Sequence, residues 1–186
     1  SIKNNENIHL YIKTHPSETY GVKSLESIAQ KIFKKYNGNL KNVTLITPEY
    51  KIKPYSLFKY IDVGIVLFGT LGLEMTLKGI PVISLALSPY SRKGFVHEPK
   101  NRKEYLKMLL SKNNNITVDK ERLELFAYYY FIKTLIPFGL AKKYYGFNLE
   151  SMDYNISSVN DLDQGKDKYL DHVCDCILNN KIIEAW

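Results

Sequence analysis

The run Val63-Gly64-Ile65-Val66-Leu67-Phe68-Gly69-Thr70-Leu71-Gly72-Leu73-Glu74-Met75-Thr76-Leu77-Lys78-Gly79-Ile80-Pro81-Val82-Ile83 decides the fold. It reads as a buried strand, a glycine-threonine turn, a short helix and a second buried strand. The helix starts at Thr70, directly after an apolar strand. Such a start offers unpaired backbone N–H groups and the positive end of the helix dipole, which suits an anion. Fifty-five residues upstream, Ile12-Lys13-Thr14-His15-Pro16 closes another apolar strand. Two strand ends, one with an imidazole and one with a hydroxyl, are expected to converge on one phosphate.

Working outward, Ile8–Lys13 and Val43–Thr47 read as strands. Leu25–Tyr36 reads as a helix through Leu25, Ile28, Ala29, Ile32 and Phe33, stopped by Asn37-Gly38-Asn39. Pro54–Tyr60 is a short helix with proline in its first turn. Strands are expected over Ile61–Phe68 and Ile80–Leu85, around a helix over Leu71–Lys78 that Gly79 and Pro81 end. Strands alternating with helices imply βαβ units and a parallel sheet. Near-continuous apolar strands imply that both faces of the sheet are covered. His15, Pro48, Glu49, Gly69, Thr70 and Ser88 to Tyr90 then fall at the carboxyl ends of strands, where ligands bind in such sheets.

Beyond Lys100 the pattern turns helical, with helices over Asn101–Lys112, Asp119–Leu135 and Lys166–Asn179. Asp119 is a plausible N-cap, and a further segment covers Leu140–Tyr145. Asn148–Gly165 is polar and reads as loop. The fold class is therefore α/β, a Rossmann-like parallel sheet with flanking helices plus a helical C-terminal tail. The expected division is a nucleotide-binding domain over 1–112 and a helical extension over 113–186 packing on it.

Composition bounds the function. The 186 residues suit one domain with an appendage, and 45% are apolar, enough for a core. No apolar run approaches the roughly 18–20 residues of a membrane span. The first residues, Ser1-Ile-Lys-Asn-Asn-Glu-Asn, lack the apolar stretch of a signal peptide, so nothing here argues for secretion, and the unpaired thiols of Cys174 and Cys176 fit an expected cytoplasmic setting. The chain reaches a strand within a few residues, which suggests an excised domain. Cys174 and Cys176, one residue apart, suit neither a disulfide nor a zinc ribbon and read as reduced thiols on the last helix. Net charge is +7 but uneven: residues 1–149 hold 23 Lys and Arg against 11 Asp and Glu, and residues 150–186 hold 3 against 8. A basic body suits nucleic acid, an anionic membrane face or a phosphorylated substrate.

At the candidate site, His15 is placed to donate to a phosphate or a leaving group. Gly69 allows close backbone approach, Thr70 supplies a hydroxyl, and Leu71 and Gly72 follow with first-turn N–H groups. Glu74, one turn on, is placed to accept from a ribose diol. The stretch is not a P-loop, and it lacks the Gly-x-Gly-x-x-Gly fingerprint. Asp161-Leu162-Asp163 has the spacing of a metal-holding Asp-x-Asp pair, yet its acidic, polar surroundings read as solvated loop, and no metal is expected. Tyr128-Tyr129-Tyr130-Phe131 reads as core or interdomain packing. Tyr20, Ser88 and Tyr90 are placed to line a base pocket. Arg92, Lys93, Lys100, Arg102 and Lys103 form a basic patch.

These residues together resemble the C-terminal, donor-nucleotide-binding half of GT-B glycosyltransferases of the bacterial capsule and surface-polysaccharide type. The carriers are Lys13-Thr14-His15-Pro16 and Asp62-Val63-Gly64-Ile65, Phe68-Gly69-Thr70, Glu74, Lys78-Gly79-Ile80-Pro81-Val82-Ile83, then Tyr90 and Gly94-Phe95, over roughly residues 8–110. The His-Pro element is similar to that of sialyl-, polysialyl-, Kdo and glycerophosphotransferases. The resemblance implies a CMP- or other nucleoside-diphosphate-activated sugar donor, with His15 on the donor nucleotide or its phosphate. It implies Gly69 and Thr70 on the phosphate, Glu74 near the ribose, and no cofactor or metal. Several relatives carry two adjacent hydroxyl residues where this chain has Gly69-Thr70. The resemblance also implies a glycan or glycolipid acceptor held by an N-terminal domain, peripheral association with the inner face of the membrane, and no nucleic-acid partner.

Three other readings compete. A sugar-nucleotide epimerase would need added acid/base carboxylates, for which Glu49 and Glu98 are candidates. A basic nucleic-acid-binding module would bind with steep salt dependence. A flavodoxin-like regulator would need a phosphorylatable aspartate at a strand end, and Asp62 precedes its strand.

Overall fold

The computed structural model describes residues 5, 7–15, 28–35, 40–111, 118–137, 139–144 and 152–182. The chain is α/β and divides into two compact units, Ser1–Thr117 and Val118–Trp186. Pro16, Tyr20, Leu25, Tyr36 and the 37–39 turn lie outside the described residues.

In the first unit, β1 (Leu10–Lys13) pairs in parallel with β2 (Val43–Ile46), and α1 (Ile28–Lys35) lies between them in sequence. A second parallel pair joins β3 (Gly64–Val66) to β4 (Val82–Ser84) through α2 (Leu71–Leu77). β4 also makes a parallel bridge through Ile83 to His97, with Ser84 N–H donating to His97 O and His97 N–H to Val82 O. Three-residue β3 and β4 are shorter than the apolar runs that contain them; Leu85 N–H still donates to Val66 O, and the exposed Leu67 follows on the other strand.

Two expectations need correction. Among the described residues β1–β2 and β3–β4 form two separate parallel pairs, not one four-stranded sheet. Of the two parallel pairs in this unit, β3–β4 is the more deeply covered. β4 is buried throughout, whereas Tyr11 in β1 and Thr44 in β2 are exposed, giving those strands one wet face. Apolar composition alone does not separate these cases, because tyrosine and threonine are comfortable at half-buried strand positions.

The core of this unit gathers around α2. Leu73, Val82, Ile83 and Tyr90 are wholly buried, joined by Met75, Val66, Phe95 and Val96. α2 stops where expected. Gly79 takes φ +77°, a left-handed conformation that costs glycine little. Its N–H donates to Thr76 O, and Ile80 N–H donates to Met75 O, satisfying carbonyls that a helix end leaves open. The Pro54–Tyr60 segment is a 3-10 helix, with Pro54 in its first turn. α3 (Arg102–Leu110) begins on Asn101, whose side chain accepts from Glu104 N–H.

The second unit opens with α4 (Lys120–Tyr128), capped by Asp119, which accepts from Arg122 N–H. The helix then widens into a π-turn over Tyr129–Lys133, where Thr134 N–H reaches Tyr129 O at 3.0 Å. The tail is not purely helical. β5 (Ala141–Tyr144) and β6 (Met152–Tyr154) form an antiparallel pair with a register shift between Ala141 and Lys143. Asn155 closes its open end, donating from its N–H to Leu140 O and from its side chain to Gly139 O. The segment expected as polar loop thus holds β6 and a 3-10 turn over Val159–Leu162. Six residues after a proline and a glycine are too few for periodicity to tell strand from helix. α5 (Lys168–Leu178) starts on Asp167, which accepts from Tyr169 and Leu170 N–H. It carries exposed Cys174 and buried Cys176, both free thiols. Among the described residues no helix is long and apolar enough to cross a membrane.

Candidate functional site

The site is built on the turn between β3 and α2. After Val66 the chain exposes Leu67 and Phe68, then reverses through Gly69 at φ +108°. A Cβ at Gly69 would meet nothing within 4 Å, so backbone conformation, not crowding, selects glycine here. Thr70 follows with helical φ −72° and ψ −21°, and its side chain makes no cap hydrogen bond. The Thr70 hydroxyl is therefore not a cap on this helix. An N-cap side chain reaches back to the first amides from an extended backbone, and Thr70 is already helical. Its Oγ1 donates instead to Glu74 Oε1 at 2.7 Å. This is the i to i+4 neighbour on the helix face.

Glu74 is thereby anchored at mid-helix. Its carboxylate also pushes the Tyr55 phenol above its ordinary value, by hydrogen bonding and by its negative charge. Tyr55, on the Pro54–Tyr60 turn, is thus within electrostatic reach of the carboxylate that Thr70 holds on α2. Sequence reasoning missed Tyr55, because nothing local to it points to a residue nineteen positions away.

Tyr90 holds the turn from the other side. It is core, not a pocket wall: its ring is buried and its hydroxyl donates to Gly69 O at 2.9 Å. That hydrogen bond ties the segment after β4 to the turn after β3. Gly72 is small because Tyr90 lies against it; a Cβ there would overlap the tyrosine hydroxyl. Leu71 is half-buried, and Thr76 Oγ1 donates back to Gly72 O. Beside Tyr90, Ser91 Oγ accepts from Ser88 N–H. Among the described residues the Ser88 hydroxyl oxygen is buried without a hydrogen-bond partner.

His15 occupies the equivalent position in the other strand pair. Thr14 is buried, and its N–H and Oγ1 both donate to Ile46 O. This pins the end of β1 and leaves His15 exposed at the carboxyl end. His15 and the Gly69-Thr70 turn thus follow strands of two different parallel pairs, which among the described residues are not hydrogen-bonded to each other as one sheet.

The remaining sequence candidates take structural places. Glu98 accepts from Arg92 N–H, and the backbone of Arg92 is left-handed at φ +60°. Glu49 is exposed, and Thr47 hydrogen-bonded to it holds its carboxyl below the ordinary range. Asp161 accepts from Ser157 and Ser158 N–H. Tyr130 stacks on Phe126 and meets Phe131 edge-on, while Tyr128 and Tyr129 are exposed, which departs from the packing expected of all four aromatics. Among the described residues no three His, Cys, Asp or Glu side chains gather as metal ligands.

Comparison with known proteins finds no match for the chain among family models, curated proteins or solved structures.

Proposed function

We propose that this chain is the donor-nucleotide-binding part of a glycosyltransferase, a Rossmann-like GT-B half working on an activated sugar in surface or capsular polysaccharide synthesis. The observation that carries the reading is the β3–turn–α2–β4 unit. Two parallel strands are joined by a short helix, and the turn between has a left-handed glycine followed by a helical threonine whose hydroxyl lies against a carboxylate. Ligands of open α/β sheets bind beyond the carboxyl ends of the strands, where this turn sits.

In this reading the open Gly69 backbone and the first amides of α2, from Thr70 to Gly72, face the donor phosphate. α2 has seven residues, so its dipole is modest, and the amides act chiefly as hydrogen-bond donors. The Thr70 hydroxyl rotates away from Glu74 to reach a phosphate oxygen, freeing Glu74 to accept from the ribose. His15 meets the leaving phosphate from the end of β1 and stabilises its growing charge. The buried Ser88 hydroxyl is a further group that a bound donor would satisfy. The glycan or glycolipid acceptor, and the general base that activates it, come from outside these residues.

The test is thermal stability against CMP, CDP, UDP, GDP and ADP, for the parent chain and for Thr70→Ala and His15→Ala. A nucleotide at a hundred times its dissociation constant adds about 2.7 kcal/mol. Stabilisation by one nucleotide that both variants lose is the expected result and identifies the base. Equal responses from parent and variants, or none from any nucleotide, overturn the assignment.

A further inference from the structure

Helix α4 and the π-turn that continues it carry two apolar rows, Leu123, Phe126, Ala127, Tyr130 and Leu125, Tyr128, Tyr129, Ile132. Each row has the i, i+3, i+4, i+7 spacing of one helical face. The second is displaced from the first by two residues, about half a turn, so the rows lie on opposite sides. The first row is packed: Leu123 and Ala127 are buried, and Phe126 stacks on Tyr130. The second row is open. Leu125, Tyr128, Tyr129 and Ile132 are 66%, 52%, 40% and 55% exposed. Leu135, just past the π-turn, is exposed as well. A helix against a core keeps its outer face polar, and one that is apolar on all sides is covered on all sides. Exposed apolar side chains scattered singly are ordinary, whereas a contiguous row marks an interaction surface.

We infer that this row pairs with the same row on a second copy of the chain, the two helices lying antiparallel about a two-fold axis between Tyr128 and Tyr129. The charges at its two ends select that occupant. Glu121 and Glu124 stand at the N-terminal end and Lys133 at the other. An axis at that point sets Tyr128 level with Tyr129 of the second copy, Leu125 with Ile132, and Glu124 with Lys133. Each acidic end then meets a lysine, and the contact is self-complementary, as a two-fold interface requires. A parallel pair would instead set Lys133 beside Lys133 and the carboxylates beside their own counterparts. A partner of one charge sign would leave one end of the row facing like charge. Within one chain Glu124 pairs with Lys120 at 3.6 Å; both are exposed, and such a pair adds little, so it does not compete with a contact across the interface. Tyrosine is enriched in the buried centre of interfaces, which is where the axis places Tyr128 and Tyr129. Side chains this exposed on both copies bring the buried area close to the roughly 1,200 Å² at which specific interfaces begin. The inference uses residues of the second unit alone and does not rest on the donor reading.

The experiment is sedimentation velocity of the whole chain over a concentration series. Leu125→Ser/Ile132→Ser strips the row, while Lys133→Glu and Glu121→Lys/Glu124→Lys each give both ends one sign. The parent is expected to dimerise as concentration rises. The serine variant should associate at least about a hundredfold more weakly, because a two-fold contact loses each side chain twice. Each charge variant alone should lose about tenfold. Mixed in equal amounts, the two charge variants should regain the parental association, since every end then meets its opposite. Melting temperatures at low concentration check that each variant folds, and Glu124→Lys alone replaces the double lysine variant if that one does not. A parent that stays monomeric at its highest soluble concentration overturns the inference; if the serine variant then melts below the parent, the row is covered within the chain instead. A dimer unweakened by the serine substitutions places the interface elsewhere and overturns it equally. A mixture that associates no better than its components rules out the antiparallel pairing inferred here.

Discussion

Gly72 sits where a methyl group would overlap the Tyr90 hydroxyl, and that hydroxyl holds Gly69 O at 2.9 Å. Gly72→Ala must therefore either push α2 off β3 or break the Tyr90 bond. Overpacking of this kind costs about 1–3 kcal/mol, against a helix-propensity gain of roughly 1 kcal/mol for replacing glycine. A lower melting temperature is expected, and Tyr90→Phe in the same background should recover part of it by removing the colliding oxygen. A variant that melts above the parent would show that the close approach does not govern this position. At this scale the sequence was informative where contacts are local. Thr70 and Glu74 are one helical turn apart, and that spacing alone brings their side chains together. Tyr55 on Glu74 and Tyr90 under Gly72 span nineteen and eighteen positions. No spacing rule reaches that far, so Tyr90 read as a pocket wall and Tyr55 went unnoticed.

The elements were legible in their stops and caps more than in their lengths. Gly79 and Asp119 end or begin helices by mechanisms that depend on one or two residues, and each acts so here, while Asn101, expected as the first residue of its helix, is instead its cap. Strand lengths and the β5–β6 pair depend on distant partners, which a one-dimensional pattern does not contain. Asp161 is a case where local chemistry was present but read as solvated loop. Its Oδ2 accepts from Ser157 and Ser158 N–H at 2.7 and 2.8 Å, closing a capping box with Ser158. Those two amide bonds hold its carboxyl below the ordinary aspartate value. With the folded value depressed, its contribution to stability is complete above the unfolded value and is lost as pH falls through the folded one. Asp161→Asn should lower the melting temperature at neutral pH, and the gap should close on acidification below the ordinary aspartate range. A gap that stays constant into acid would mean that the carboxylate charge plays no part in the cap.

At the scale of the whole molecule, the sequence conveyed an α/β chain because the β3–α2–β4 run is dense in apolar residues and punctuated by glycine and proline. It did not convey how the strands group, since separate pairs and one sheet share the same alternation. The buried residues follow the two units. Leu73, Val82, Ile83 and Tyr90 lie in the first, and Leu123, Ala127 and Cys176 in the second. Leu73 projects from the middle of α2 and is fully buried. Truncating such a side chain removes its transfer energy and leaves a cavity, at about 2–5 kcal/mol. Typical domain stability is about 5–15 kcal/mol, so Leu73→Ala is expected to bring the first unit near its unfolding threshold. Amide exchange reads where the loss falls. Protection across β3, α2 and β4 should drop together, because one core joins them, while α5 in the second unit keeps its parent rate. Equal loss in α5 would mean that the two units share a single cooperative transition, and the Gly72→Ala cost would then have to be read as a change in the stability of the entire chain.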